Sequence, residues 1–245
     1  DLLTNFATPI WLMRLKNVSS LNKELLNFFY EQKKINPKGI ERSSLFGWHS
    51  QDYVGGEIYK IKPYKKFFER IAPLVQRVSD DMGWDRKNYT PSITSTWGII
   101  NPPYASNWSH IHHNNIVSAA YYVQWPTNGG GFVAQDPRND ALYYRPSYKE
   151  VKPLNVQQVT IEPQTGLIAM FPSYLRHRVE PNMSKKDRVI ISFNINLIPL
   201  KNSSVDIIIC DWVFEHIESP YLFIKEINRV LKKGGKICSR TPHKY

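Results

Sequence analysis

Three histidines and one arginine are spaced so that they could share a metal ion and an organic anion. The segment SHIHHNN places imidazoles at His110, His112 and His113. In an extended chain His110 and His112 project to one side and His113 to the other, so the first two could chelate one metal. A further imidazole, His177, lies far downstream in FPSYLRH, after a strand and tight turn read from GLIAMFPS. Imidazole suits iron, zinc, copper or nickel, so ligand type alone does not choose the metal. Arg188 follows His177 by eleven positions and opens the run RVIISFNINL. A guanidinium there forms a bidentate, charge-assisted pair with a carboxylate. A dicarboxylic oxo-acid would fit, one end on the metal and the other on Arg188. Ser192 and Tyr121 or Tyr122 could add hydroxyls to that same carboxylate.

Other side chains carry weaker signals. His49 in GWHS is read either as a hydrogen-bonded structural residue or as part of a substrate pocket. Trp97 and Asn194 are read as pocket lining or core. Asp136 in QDPR is read first as a structural ion pair with Arg138, and it remains open as a carboxylate ligand to the metal.

Positioning these groups requires strands. From about Thr90 the chain becomes short β-rich runs separated by Pro, Gly and Asn: ITSTWGII, VSAAYYVQW, GGFVAQ, VTIEP, GLIAMF and RVIISFNINL. Many short strands with turn signals between them predict a sandwich or jelly roll. In the last run, Val189, Ile191, Phe193 and Ile195 share one face, and Arg188, Ile190, Ser192 and Asn194 the other. Polar groups facing inward must be satisfied, and an anion or metal would do so. Ahead of the strands, helical periodicity predicts a helix from a Ser20 cap through Lys34, with Leu21, Leu25, Phe28 and Phe29 on one face. A second helix is predicted over Tyr64 to Met82, kinked or interrupted at Pro73. Pro37 to Gly56 reads as a loop.

In order along the chain, FATPIW, GWHS, TWGIINPP, HIHHNNIVSAAYYV, GFVAQDPR, FPSYLRHRVEPN and DRVIISFN resemble the 2-oxoglutarate and iron(II)-dependent oxygenases of bacteria and cyanophages. The resemblance covers roughly residues 6 to 197. It implies a double-stranded β-helix, a cupin-like jelly roll, with iron(II) at His110, His112 and His177 and 2-oxoglutarate anchored by Arg188. It implies 2-oxoglutarate and dioxygen as co-substrates, succinate and carbon dioxide as products, and hydroxylation of an unidentified primary substrate. Better-studied oxygenases carry His-x-Asp or His-x-Glu, whereas this chain has His-x-His. Three histidines are the preferred set, with Asp136 as the alternative. A non-catalytic jelly-roll binding module with a relic metal site is the competing function.

Residues 198 to 245 change texture again, to strand, helix and strand: DIIIC, SPYLFIKEINRVLKKGG and KICSRTP. This tail resembles part of a class I methyltransferase. It lacks the Gly-rich loop and acidic residue that bind the cofactor in such folds, so it is expected to be inactive, with Glu215 and His216 playing no catalytic part. The expected division is therefore an oxygenase jelly roll over 1–197 and a partial methyltransferase-like segment over 198–245.

The chain of 245 residues, 42% hydrophobic and 13% aromatic, can bury a sizeable core without cross-links. Its two cysteines, Cys210 and Cys238, show no metal-type spacing, which points to a reducing compartment and a cytoplasmic protein. No apolar run approaches the roughly 20 residues of a membrane span. The net charge of +11 would attract nucleic acid. Its basic clusters are short and scattered, so a solvated surface is favoured over a nucleic-acid groove.

Overall fold

The computed structural model describes residues 2–3, 5–86, 89–138, 146–198, 203–211 and 220–240. The chain divides into two compact units, one of residues 1–81 with 93–196 and one of 82–92 with 197–245.

The first unit is two antiparallel sheets flanked by helices. Its elements are β1 (Trp11–Arg14), α1 (Ser19–Ile35), β2 (Ser44–Leu45), β3 (Trp48–His49), β4 (Tyr53–Val54), α2 (Lys62–Asp81), β5 (Thr90–Asn101), β6 (Ser106–His110), β7 (Val117–Gln124), β8 (Phe132–Gln135), β9 (Gln158–Ile161), β10 (Leu167–Pro172), β11 (His177–Val179) and β12 (Arg188–Ile198). The larger sheet runs β1-β10-β7-β12-β5-β3, with β4 also pairing β5, and the smaller runs β2-β6-β11-β8-β9. Strands distant in sequence lie side by side, as a jelly roll requires. The architecture is the expected double-stranded β-helix with N-terminal helices.

Strand parity places the core. Tyr122, Trp97, Ile99, Ala169 and Ile190 form one cluster, and Phe132, Ala134, Phe171, Leu175 and Val179 another. The opposite face of the larger sheet packs on the helices, where Phe67 meets Tyr121 at 4.8 Å and Phe68 meets Phe193 at 5.4 Å between ring centroids. A methyl group at Gly98 would run into the Phe29 ring, so the glycine sets how closely α1 approaches β5.

Three local expectations need correction. α1 begins at Ser19 with Val18 at its cap and no side-chain cap bond, so Ser20 lies in the first turn. Burial of Leu21, Asn22, Leu25 and Phe29 anchors this helix instead. α2 runs unbroken through Pro73. Pro73 sits on the exposed face, where water can satisfy the carbonyl that loses its donor, while Phe67, Phe68 and Ile71 hold the buried face. Within 37–56, the short strands β2, β3 and β4 replace an irregular loop.

The second unit contains β13 (Val205–Asp211), α3 (Pro220–Val230) and β14 (Leu231–Arg240), with β13 and β14 parallel. The helix ends at Val230, earlier than the expected LKKGG. The pairing shifts there, from Val205↔Leu231 to Ile207↔Lys236, and Gly234 takes φ +83. The residues between form an excursion within the strand instead of a helix terminus. Glu215 and His216 lie outside the described residues.

Candidate metal centre

His110 closes β6 directly opposite His177 of β11, and His177 also faces Ala134 of β8. Between those partners β6 is irregular: His110 pairs with His177, while Asn107 pairs with Val179, three residues set against two. The extra residue is a β-bulge, which reverses side-chain parity and re-aims a residue. Asn107 and His110 can therefore both turn inward while Trp108 is exposed. His112 arrives two residues later, pinned by its backbone N–H donating to Ser173 O at 3.0 Å.

The three imidazoles converge. Ring centroids are 4.3 Å apart for His110 and His177, and 5.2 Å for His112 to each of the others. One ligand nitrogen from each lies within 4.8 Å of the other two. Three points so spaced share a centre within about 2.8 Å of each, close to a metal–imidazole bond of about 2.1 Å after small side-chain rotations. His110 Nδ1–H donates to Trp108 O at 2.6 Å and His177 Nδ1–H to Leu175 O at 2.9 Å. A carbonyl can only accept, so each proton is on Nδ1 and each Nε2 lone pair is free for a metal. Burial holds all three pKa values below the ordinary 6.5, with His112 pushed down to about 3 by burial and then by His110 and His113. The ligands are thus neutral, as metal binding requires.

Among the described residues this triad is the one such cluster of histidine, cysteine or carboxylate side chains, and it contains no carboxylate. Asp136 accepts from Arg138 Nε at 3.0 Å and Nη2 at 2.7 Å, the ion pair expected first.

Arg188 is fully buried on the inward face of β12. Its guanidinium lies 5.4 Å from the Trp125 ring centroid. Nη1 donates to Gly129 O and to Glu180 O at 2.8 Å, and Nη2 to Ala105 O at 3.4 Å. Backbone carbonyls take both Nη1 protons and one of the two Nη2 protons, so the Nε–Nη2 edge of the fork keeps two N–H donors side by side. Nε has no partner at all, and neither has the equally buried hydroxyl of Tyr122. Burial lowers the Arg188 pKa to about 10, which still leaves a cation at neutral pH. Burial raises that of Tyr122, a rise the Arg188 charge opposes.

Tyr121 and Tyr122 separate. Tyr121 points to the helices and donates to Asn22 Oδ1 at 2.6 Å, so it is not part of this site. Ser192 lies on the inward face of β12, opposite Ala120 of β7. Asn194 is tied into a buried chain, accepting from Ser118 Oγ at 2.8 Å and donating to Ser95 Oγ at 3.0 Å. His49 and Trp97 stack at 5.7 Å, and Trp97 stacks on His112 at the same distance. The sequence reading missed Trp125 and the glycine turn that supports Arg188. The run TNGGG was the available signal: Gly130 has φ +82, and a Cβ there would collide with the carbonyls of Glu180 and Pro181.

Comparisons with known proteins agree with this geometry. Residues 95–194 match the family model described as "Putative 2OG-Fe(II) oxygenase". A prolyl-4-hydroxylase from Pseudomonas putida is similar in structure, with TM-score 0.53 and 15% identity over 76% of this chain and 91% of that one. A prolyl hydroxylase from Trichoplax adhaerens, solved with a hypoxia inducible factor peptide fragment, gives 0.54 and 15% over 76% and 83%. Residues 159–239 match a methyltransferase domain model, and the start of that match overlaps strands of the jelly roll. A thiol S-methyltransferase of Rattus norvegicus, TMT1B, is 37% identical over 49 residues, 20% of each chain, so this chain spans about a fifth of the curated relative it matches. Over 95–194, the stretch holding His110, His112, His177 and Arg188, this chain resembles the 2OG-Fe(II) oxygenases in sequence, and over three quarters of its length it shares their fold.

Proposed function

We propose that this chain is an iron(II) and 2-oxoglutarate-dependent oxygenase that hydroxylates a primary substrate of unassigned class. The observation that carries the reading is Arg188, a buried cation that no carboxylate neutralises among the described residues, with Nε unpartnered beside the unpartnered Tyr122 hydroxyl. Leaving such donors unpaired costs roughly 1–3 kcal/mol each, and more for a charged group. A carboxylate received there removes the cost.

His110, His112 and His177 would hold the metal, and Arg188 Nε and the Tyr122 hydroxyl would hold the far carboxylate of the oxo-acid. Glu180, whose carbonyl fixes Arg188, lies three residues beyond His177, about 10 Å along an extended chain. A five-carbon diacid chelating the metal at its near end spans such a gap. When bound, the metal and oxo-acid would supply, with dioxygen as the oxidant, hydroxylation of a substrate C–H bond, one oxygen atom going to the substrate and the other to succinate as the oxo-acid loses carbon dioxide. The chain's own part is to orient and to exclude water. Nδ1–H bonds at His110 and His177 fix the ligand rings. Trp125 and three backbone carbonyls fix the guanidinium. Trp97, Ile99 and Ile190 dry the wall around it.

Calorimetric titration of 2-oxoglutarate into the nickel-loaded protein tests this assignment. Binding is expected in the wild type, a weakening of about tenfold in Tyr122→Phe, which removes a hydrogen bond to a charged group, and near-wild-type affinity in folded Tyr121→Phe. Equal behaviour of the two tyrosine variants, or no binding at all, would sink it.

A further inference from the structure

Of the three imidazoles, His112 is held differently. His110 and His177 are each oriented by an Nδ1–H bond to a backbone carbonyl. Among the described residues neither ring nitrogen of His112 makes a hydrogen bond. Its ring instead lies against Trp97, 5.7 Å between centroids and 28° between planes, and is nearly parallel to His177 at 4°. Trp97 also stacks with His49, at 5.7 Å and 15°.

The fold fixes this stack. His49 pairs with Ile99 across β3 and β5, which makes Trp97, two residues along β5, its diagonal neighbour on the inward face. Ser50 locks the two strands beside Trp97: its N–H donates to Gly98 O, and its hydroxyl accepts from Gly98 N, both at 2.9 Å. His49 is 4% exposed, and its Nδ1–H donates to Ser50 O at 2.6 Å, so its ring cannot turn without breaking that bond.

We infer that His49 and Trp97 are positioning residues for His112, an aromatic stack that takes the place of the hydrogen bond orienting each of the other two ligands. The inference rests on the metal-centre reading above. It assigns His49 a task done by the flat face of its ring, which its burial at 4% exposure keeps in place even without the Nδ1–H bond. A residue that instead met substrate or metal through Nε2 would need that nitrogen.

Cobalt(II) titration of the full-length protein, followed by visible d–d absorption, separates the two roles. Orienting partners of metal ligands change affinity by about 10–100-fold, so His49→Ala and Trp97→Leu are each expected to weaken cobalt binding at least tenfold and to broaden or shift the band. His49→Phe keeps a flat ring without nitrogens and is expected to stay within about threefold of wild type with an unchanged band. The inference is overturned if folded His49→Phe binds as weakly as His49→Ala, or if His49→Ala and Trp97→Leu both bind like wild type. Should His49→Ala not fold, His49→Phe decides alone: wild-type affinity and band sustain the stack, and a tenfold loss in folded protein refutes it. A wild-type protein that takes up no cobalt would refute the metal centre itself, a separate outcome.

Discussion

Arg188 is a fully buried cation with no carboxylate partner among the described residues. A guanidinium buried against Trp125 and three carbonyls is oriented but not neutralised, so its protein is expected to gain stability when an anion arrives. Millimolar 2-oxoglutarate with nickel(II) should therefore raise the melting temperature of the wild type and leave that of Arg188→Met unchanged; an equal rise in both would mean that the acid binds elsewhere. Protons act on the histidines in the opposite direction. The folded-state pKa of His112 lies below the ordinary 6.5, so the unfolded chain binds more protons, and stability present above pH 6.5 is lost as pH falls toward about 3. Metal-free protein is expected to melt lower at pH 5 than at pH 7.5 in scanning fluorimetry, and an unchanged melting point would contradict neutral, buried ligands. At this scale the three histidines that converge and the inward-facing Arg188 could be singled out because residue type, order and spacing agree. The choice between Tyr121 and Tyr122 could not be made that way. Alternation shows that adjacent strand residues face opposite ways, but only the packing of Phe67 on Tyr121 shows which way is out.

Among the elements, the long apolar strands were readable and the short polar ones were not. β6, with sequence SNWSH, has little β propensity and is a strand because β2 and β11 pair with it. Its bulge lies between Asn107 and His110, so it sets which way His110 turns, and His112 follows two residues later beyond the strand end. The polar face of β12 was readable from period two alone, whereas the engagement of Arg188 with Gly129, Glu180 and Ala105 depends on chain distant in sequence. Helix packing is equally exact at Gly98, where a side chain would overlap the Phe29 ring. Gly98→Ala is expected to cost about 1–3 kcal/mol in urea unfolding, as overpacked cores do. A neutral result would show that α1 can shift away from β5 freely.

For the whole molecule, the two units differ in what they can do alone. The first has a double-layered core, the histidine triad and the buried Arg188. Among the described residues the second has a two-stranded parallel sheet with one helix, and Ile207 and Ile209 are exposed on it. Parallel strands are ordinarily covered on both faces, and the methyltransferase match ends within this short unit. The full chain is expected to show no binding of S-adenosylmethionine by calorimetry; measurable binding would reassign the second unit. The jelly roll was foreseeable from six β-rich runs separated by turn signals. The grouping of 82–92 with the tail was not, because nothing in its composition marks it. The central claim, that three histidines and Arg188 together hold iron(II) and an oxo-acid, is tested most directly by anaerobic visible spectroscopy of the full-length protein. A weak charge-transfer band is expected only when iron(II) and 2-oxoglutarate are both present, and it should vanish in His177→Ala. A folded, iron-loaded wild-type protein that shows no such band with 2-oxoglutarate would contradict it.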